Sequence, residues 1–291
     1  MKTEDFSIQS HATSEPVSSS AEVIDNPWRK LRRFTDARIG LGRTGVSLPT
    51  HEMLGFQLAH AQAKDAVHLP LDVSQLHSKL HALQTFNGTP PFLLQSRALD
   101  RFTYLQRPDM GRRLEAASKN QLVTYSESGK KEYDLAIAVV DGLSSKAVQQ
   151  NVEPFMKTFL KNLAEDPALN DLKLAPFSIV QQGRVAIGDE IGELLKAEMV
   201  VVLIGERPGL SSPDSLGLYL TWHPKVGRHD AERNCISNIR PAGLSYEEAS
   251  RKALYLIRES RRLKLSGVNL KDRSHEKTIS RDSNEKNFLI E

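Results

Sequence analysis

From about residue 134 onwards, short apolar runs alternate with stretches of helical periodicity, and this alternation constrains the fold more than any other feature. The clearest run, Met199 to Gly205 (MVVVLIG), is rich in β-branched residues and lacks the polar positions of a half-exposed strand. Such a run is typical of a strand buried on both faces. Strands that alternate with helices favour a mostly parallel sheet, because the crossover between parallel strands is usually a helix.

Strands and helices can be placed along this part of the chain. The predicted strands are Asp134 to Val140, Pro176 to Gln182, Met199 to Gly205 and Leu216 to Trp222. Helices are predicted at Lys146 to Ala164, near Asp189 to Lys196, and after Ser245, which forms a capping box with Glu248 ahead of an apolar face. The pattern predicts an α/β fold class, with a mostly parallel sheet between two layers of helices.

Composition divides the chain into four parts. Residues 1–25 are rich in small polar residues and are expected to be a flexible N-terminal tail, because they carry too little apolar surface to offset the entropy of ordering. Residues 26–95 are expected to form an N-terminal helical extension. Residues 96–272 are expected to form the α/β domain, and residues 273–291 a polar C-terminal tail. Apolar residues recur near helical spacing in the extension, at Met53, Phe56, Leu58, Ala59, Ala63 and Val67.

Composition and charge exclude several classes of protein. With 39% hydrophobic and 26% charged residues, the chain is typical of a soluble globular protein. Its apolar runs are far shorter than the roughly 20 residues needed to cross a bilayer, and its start lacks the apolar stretch of a signal peptide, so we expect a cytoplasmic protein. The single cysteine, Cys235, excludes an internal disulfide and a multi-cysteine metal site.

A glycine-rich segment supports an alternative function. Residues Gly40 to Gly45 (GLGRTG) match the dinucleotide fingerprint G-x-G-x-x-G, which would make the chain a nucleotide-dependent oxidoreductase. That fingerprint must follow a strand and open a helix, whereas the charged, helix-like segment Leu31 to Arg38 precedes this one and Pro49 follows it. The other interpretation is a loop whose glycines adopt positive φ angles. A third possibility, a nucleic-acid-binding or regulatory module, rests only on a pI near 8.9 and on arginine clusters.

The loops that follow the apolar strands are candidate ligand sites, because ligands of open α/β sheets bind outside the carboxyl ends of the strands. Glu206 follows the run MVVVLIG and offers a hydrogen-bond acceptor, although a salt bridge with a nearby arginine would explain this carboxylate equally well. Val185 lies in the loop after the strand Pro176 to Gln182. For Cys235 a structural thiol is the commonest case.

Several long blocks, in the same order along the chain, resemble the small subunit (light chain) family of ethanolamine ammonia-lyase. The resemblance covers roughly Asn26 to Asp272, and only the two tails depart from it. The blocks are Arg38 to Thr50 (RIGLGRTGVSLPT), Phe56 to His68 (FQLAHAQAKDAVH), Tyr104 to Leu114 (YLQRPDMGRRL), Asp141 to Ser144 (DGLS), Gly183 to Gly192 (GRVAIGDEIG), Gly205 to Ser215 (GERPGLSSPDS) and Cys235 to Arg240 (CISNIR).

The resemblance implies a subunit of an adenosylcobalamin-dependent carbon–nitrogen lyase that converts ethanolamine to acetaldehyde and ammonia by radical chemistry. It implies a Rossmann-like domain that helps to bind cobalamin, and a large subunit that binds ethanolamine, so that the enzyme is active only as a hetero-oligomer. The cofactor-binding residues that it implies are Val185, Glu206 and Cys235, with no catalytic residue and no metal ligand on this chain.

Further expectations follow from the family. The chain lacks the Asp-x-His-x-x-Gly motif of enzymes that replace the lower base of the cofactor, so base-on binding is expected. The GLGRTG loop and the arginine-rich turn that ends in Arg112 and Arg113 are both expected at the interface with the large subunit. Family members commonly occur in bacterial microcompartments, which leaves both free and encapsulated cytoplasmic enzyme open. No nucleic acid or membrane is expected as a partner.

Overall fold

The computed structural model describes residues 23–83, 88–129 and 132–274 and separates into two compact units between Leu58 and Ala59. The tail predicted at residues 1–25 lies outside the described residues except for residues 23–25, and the tail predicted at 273–291 does so except for 273–274. The first unit contains the 3-10 helix Pro27–Phe34 and the first residues of helix α1 (Thr50–His68).

The second unit contains a sheet of six strands and the helices that flank it. The strands are β1 (Phe92–Gln95), β2 (Tyr133–Val140), β3 (Ser178–Gln181), β4 (Ala197–Gly205), β5 (Leu216–Trp222) and β6 (Arg233–Ile239). The helices after α1 are α2 (Val73–Leu83), α3 (Arg101–Gln106), α4 (Ala116–Glu127), α5 (Ser145–Glu165), α6 (Ile187–Leu194) and α7 (Tyr246–Leu263). No helix among the described residues is long and apolar enough to cross a membrane.

The order of strands in the sheet is β1-β3-β2-β4-β5-β6. Strands β1 to β4 are parallel, whereas β5 is antiparallel to both of its neighbours. The predicted α/β class is confirmed, but the sheet is partly antiparallel because the chain passes from β4 to β5 and from β5 to β6 without a crossover helix.

The predicted strands and helices are present, and the sequence did not predict two further strands at the edges of the sheet. Strand β1 is only four residues long and lies at the end of the stretch 26–95 that was expected to be helical. Strand β6 reads RNCISNI and has mostly polar residues, so it gives no apolar run. Both lie at edges of the sheet, where one side of the strand is unpaired and a buried apolar run is not required.

The two faces of the sheet pack against different helices. One face packs against α2, α5 and α7 in a core that includes Leu135, Val201 and Phe155. The other packs against α4 and α6 in a core that includes Ala136, Val202 and Ile191. Strand β4 is central in both cores, which explains its uninterrupted apolar sequence.

Helix starts follow local signals in the sequence. Ser144 caps α5 by accepting a hydrogen bond from the backbone N–H of Ala147, and Ser245 caps α7 by accepting one from Glu248. The predicted start of the last helix is therefore confirmed. Helix α7 ends at Leu263, and the cap residue Lys264 that follows adopts the left-handed conformation with a φ of 55°.

The glycine-rich segment is a loop of the first unit. Gly40, Gly42 and Gly45 have positive φ angles, as expected for a turn-forming loop. A Cβ atom on Gly40 would lie 2.6 Å from the backbone N of Arg29, and one on Gly42 would lie 2.7 Å from the carbonyl O of Ile24. Within residues 23–58 the loop follows a 3-10 helix instead of a strand, so the strand–loop–helix context of the dinucleotide fingerprint is missing there.

Candidate functional site

The antiparallel end of the sheet has one face that is only partly covered. In β5, Leu216, Leu218 and Leu220 are buried in the core beneath α5 and α7. The alternate residue Tyr219 points to the opposite face and is half-buried at the edge of the core beneath α6. Its partner in the register is Cys235 of β6, which is exposed. We call this surface, formed by Tyr219 and Cys235 beside the buried Gly217, the open face.

The carboxylate of Glu206 lies at one end of the open face. Glu206 follows β4, and its backbone N–H donates to the carbonyl O of Ser215 at 3.0 Å. Its Oε2 accepts a hydrogen bond from the backbone N–H of Asn238 at 3.1 Å, and a Cβ atom on Gly217 would lie 3.0 Å from its Oε1. Among the described residues Glu206 makes no ion pair with an arginine, so the salt bridge considered from sequence is not found. Its second oxygen is therefore available to a ligand on the open face.

Cys235 and Tyr219 form a weakly polar pair at the centre of the open face. Although Cys235 is exposed, neighbouring groups partly desolvate its thiol and raise its pKa; the charge of Glu206 also raises it, while the hydrogen bond with the Tyr219 hydroxyl lowers it. Burial also raises the pKa of Tyr219, as does the hydrogen bond with Cys235. Both groups are therefore neutral at physiological pH, and a protonated thiol is a soft packing surface instead of a nucleophile.

Val185 lies in the turn that leads into α6. Its carbonyl O accepts a hydrogen bond from the N–H of Gly188 at 3.1 Å, and its side chain is partly buried against the core beneath α6. The structure thus brings Glu206 and Cys235 together on the open face and places Val185 at the start of the adjacent helix.

An ion pair connects α6 to the open face, and sequence reasoning missed it. The carboxylate of Asp189 accepts hydrogen bonds of 2.5 and 2.7 Å from the guanidinium of Arg233, the first residue of β6. Arg233 also donates to the hydroxyl of Thr221 at 3.0 Å. The available signal was the acidic pair Asp189 and Glu190 between the apolar residues Ile187 and Ile191 of the helix IGDEIGEL. Buried charges in an apolar helix require partners.

Glu190 fixes the other side of α6 through the arginine-rich turn. Its carboxylate accepts two hydrogen bonds from Arg113, at 3.0 and 2.9 Å, and one from the N–H of Leu114. Arg113 thus holds α6 within this chain, and its side chain is still 34% exposed, so its expected contact with the large subunit stays a prediction. Arg112 is exposed.

The crevice at the carboxyl ends of β2 and β3 is filled by the side chains of this chain. The connections from these neighbouring strands lead to α5 and α6, which lie on opposite faces of the sheet, and such a switch point is the usual ligand site. Here Asp141 accepts hydrogen bonds from the N–H groups of Gln182 and Gly183, at 2.8 and 3.1 Å. Arg101 donates to the carbonyl O of Gly142 at 2.7 Å. Burial raises the pKa of Asp141 to about 6. The open face is therefore the better candidate site.

Known proteins are similar to this chain over almost all of the residues that the structure describes. The family model described as ethanolamine ammonia-lyase light chain (EutC) matches residues 25–271. A protein of Pseudomonas fluorescens SBW25 named ethanolamine ammonia-lyase small subunit is 53% identical over 272 residues, which cover 92% of this chain and 95% of the relative. A protein of the same name from Ralstonia nicotianae GMI1000 is 50% identical over 279 residues, which cover 96% of this chain and 100% of the relative.

Proposed function

The chain belongs to the ethanolamine ammonia-lyase light-chain family as a small subunit of that lyase, and on this premise we propose that its open face forms one wall of an adenosylcobalamin site. The observation that carries the proposal is the grouping of Glu206 and Cys235, from separate parts of the sequence, on one accessible face of the sheet. The large subunit forms the rest of the site.

The residues on the open face fit the chemistry of a corrin. A corrin has apolar faces and a rim of amide side chains, so its partner needs soft packing groups and a few hydrogen-bond acceptors. The Glu206 carboxylate accepts hydrogen bonds from amide N–H groups, the Cys235 thiol packs against an apolar surface, and Val185 offers methyl contacts. Tyr219 joins this set because its hydroxyl is hydrogen-bonded to Cys235.

This chain binds and orients the cofactor, which itself supplies the radical by homolysis of its cobalt–carbon bond when bound. The ion pair between Asp189 and Arg233 holds the turn that contains Val185 and the strand that contains Cys235 in fixed relative positions. Closure of the open face against the large subunit excludes water and shields reactive species from side reactions. Ethanolamine binds to the large subunit, where it is converted to acetaldehyde and ammonia.

An aldehyde-release assay tests the proposal. Ethanolamine and adenosylcobalamin are supplied to this chain alone, to its cognate large subunit alone, and to the co-expressed pair. We expect activity from the pair only, together with cobalamin retained by the pair after gel filtration. Full activity and full cobalamin retention by the large subunit alone would overturn the role assigned to the open face.

The site of action in the cell is also part of this proposal. We place the lyase in the bacterial cytoplasm. The alternative, which family membership suggests, is that it is packaged in a microcompartment. Cell fractionation followed by the same assay distinguishes the two, because packaged activity sediments with the shells.

A further inference from the structure

The loop that carries Glu206 is closed at its base by a backbone hydrogen bond. This loop, residues 206–215, connects β4 to β5. The N–H of Glu206 donates to the carbonyl O of Ser215 at 3.0 Å, next to the register pair of Gly205 and Leu216. The position of the Glu206 backbone therefore depends on the last residues of the loop.

Helix α5 and its cap residue hold the second half of this loop. The Oγ of Ser144 donates to the carbonyl O of Pro213 at 2.9 Å. The Nδ2 of Asn151 donates to the carbonyl O of Asp214 at 2.7 Å. Asn151 is buried, and its Oδ1 accepts a hydrogen bond of 2.7 Å from the hydroxyl of Tyr246. The second half of the loop is thus fixed to α5 through a polar network in the core.

The carboxylate of Glu206 depends on a second segment, the end of β6. Its Oε2 accepts the hydrogen bond from the N–H of Asn238. Asn238 has a φ of 59°, in the left-handed region, so its neighbours must hold a conformation that is costly for a residue with a Cβ atom. Its carbonyl O accepts a hydrogen bond from the N–H of Leu244 at 2.8 Å. The Glu206 carboxylate is therefore held only as firmly as this strand end.

Arg240 connects the strand end to the loop. Its Nε donates to the Oδ1 of Asn238 at 3.0 Å. Its Nη1 donates to the carbonyl O of Ser211 and to the Oδ1 of Asp214, each at 3.3 Å. The guanidinium carries several N–H donors in one plane, so a single arginine can bind acceptors on two segments at once. Arg240 is buried, which keeps these contacts away from solvent.

We propose that Arg240 is a positioning residue for Glu206, because its guanidinium holds the loop that carries the carboxylate against the strand end that binds it. The proposal rests on the proposed function in treating Glu206 as a cofactor contact. An acceptor that is ordered in advance loses less conformational entropy when its ligand binds. Arg240 forms its ion pair with Asp214, which leaves the carboxylate of Glu206 to the ligand.

The test uses the co-expressed complex and two variants of Arg240. Arg240→Met keeps an apolar side chain of similar length but removes every donor. Arg240→Lys keeps the charge, but its single nitrogen does not reproduce the planar fork that reaches both segments. The matched control is Arg261→Met, because Arg261 also joins two residues, Asp171 at 3.1 Å and Asp134 at 4.0 Å, at the other end of the sheet. Circular dichroism establishes that each variant is folded, and Arg240→Lys carries the test if Arg240→Met is not.

Hydrogen exchange of the complex without cobalamin measures the positioning effect directly. The N–H of Asn238 is bonded to the Glu206 carboxylate, so its exchange reports that contact. We expect faster exchange in peptides from residues 206–215 and 235–240 in both Arg240 variants, and wild-type exchange there in the Arg261 variant. Wild-type exchange in the Arg240 variants would overturn the proposal.

Equilibrium dialysis against cobalamin separates positioning from a general structural role. We expect Arg240→Met to weaken cobalamin binding by roughly threefold to tenfold, Arg240→Lys to weaken it as well, and the Arg261 variant to match wild type. In a chain that already carries Glu206→Ala, Arg240→Met should weaken binding no further, because the group that it positions is gone. Equal losses with and without Glu206, or wild-type affinity of Arg240→Lys, would show that Arg240 does not act through Glu206.

Two outcomes distinguish this proposal from the proposed function. If the wild-type complex binds no cobalamin, or if Glu206→Ala binds it as tightly as wild type does, the proposed function fails, and hydrogen exchange alone decides whether Arg240 orders Glu206. If Glu206→Ala weakens binding but neither Arg240 variant does, the proposed function stands and the positioning role of Arg240 is wrong.

Discussion

Asp189 in α6 and Arg233 in β6 form a bidentate ion pair in which each side chain is only 2% exposed. The pair joins the helix that follows the Val185 turn to the strand that carries Cys235. Burial tends to lower the pKa of the Arg233 guanidinium, but the hydrogen bond and charge of Asp189 outweigh burial and raise it. Burial raises the pKa of the Asp189 carboxyl, although the hydrogen bond and charge of Arg233 oppose this effect. The pair holds two predicted cofactor contacts in fixed relative positions.

Asp189→Asn should destabilise the chain strongly. The substitution leaves the buried Arg233 charge without its main counter-ion, which costs about 3–5 kcal/mol of unfolding free energy. The control is Asp230→Asn, since Asp230 also lies within 3.5 Å of Arg233 but is 92% exposed, and it should change stability by less than about 1 kcal/mol. Urea unfolding measures both variants. Equal effects would mean that the buried pair has no special structural role.

The buried Asp141 carboxyl should make stability depend on pH. Because burial raises its pKa in the folded chain to about 6 from an ordinary value of 3.8, the folded state holds the proton more tightly than the unfolded state. The contribution of Asp141 to the unfolding free energy is therefore greatest below pH 4 and falls as the pH rises from about 4 to 6. Above that range it is lower by about 3 kcal/mol.

Asp141→Asn isolates this effect. The amide loses one backbone hydrogen bond at every pH, but it does not ionise. The stability of the variant relative to wild type should therefore be about 2 kcal/mol better at pH 7 than at pH 4. Urea unfolding at both pH values gives the comparison. Parallel pH profiles for the two proteins would contradict the raised pKa.

Gly142→Ala should disrupt the carboxyl end of β2. Gly142 has a φ of 61°, and an added Cβ atom would lie 2.2 Å from the carbonyl O of Gly205. Gly88 is the control, because it has a similar φ of 64° but no heavy atom within 4 Å of such a Cβ. Thermal unfolding should show a cost of about 1–2 kcal/mol for Gly88→Ala and a clearly larger one for Gly142→Ala, since a backbone atom must move. Similar costs would show that the Gly205 contact relaxes freely.

Glu206→Ala should weaken cobalamin binding by the complex. Loss of the acceptor leaves a cofactor amide unpaired at a cost of about 1–3 kcal/mol, which corresponds to roughly 5- to 150-fold in affinity. Glu206→Gln retains an acceptor oxygen and should bind more tightly than the alanine variant. Glu198→Ala, at the opposite end of β4 and exposed, is the control. Equilibrium dialysis of the assembled complex measures the affinity, and unchanged binding by Glu206→Ala would remove this residue from the site.

Cys235 provides a direct probe of the open face, since it is the only cysteine of the chain. Its raised pKa predicts that alkylation by iodoacetamide has a midpoint above that of an ordinary thiol. Tyr219→Phe removes a hydrogen bond that lowers this pKa, so the midpoint should rise further. Mass spectrometry of the Cys235 peptide follows the reaction. Bound cobalamin should slow it in the complex, and an unchanged rate would place the cofactor elsewhere.

The sequence by itself determined the central strands and the main helices, because those signals are local. The β-branched runs of β2 and β4 are buried on both faces and therefore carry no polar positions. The starts of α5 and α7 are set by the capping residues Ser144 and Ser245, which act on the backbone three residues away.

Only the tertiary structure decided the pairing of the edge strand β6 and the partners of the buried carboxylates. The polar strand β6 has no apolar run, so its pairing with β5 depends on the register that brings Cys235 opposite Tyr219. The partners of Asp189 and Glu190 lie far away in the sequence, at Arg233 and Arg113, and a charge pattern does not specify a distant partner. The family resemblance indicates Glu206 and Cys235 as two separate residues of the sequence. The fold places both on one face of the sheet, because long-range contacts and not local propensity decide which strands are neighbours.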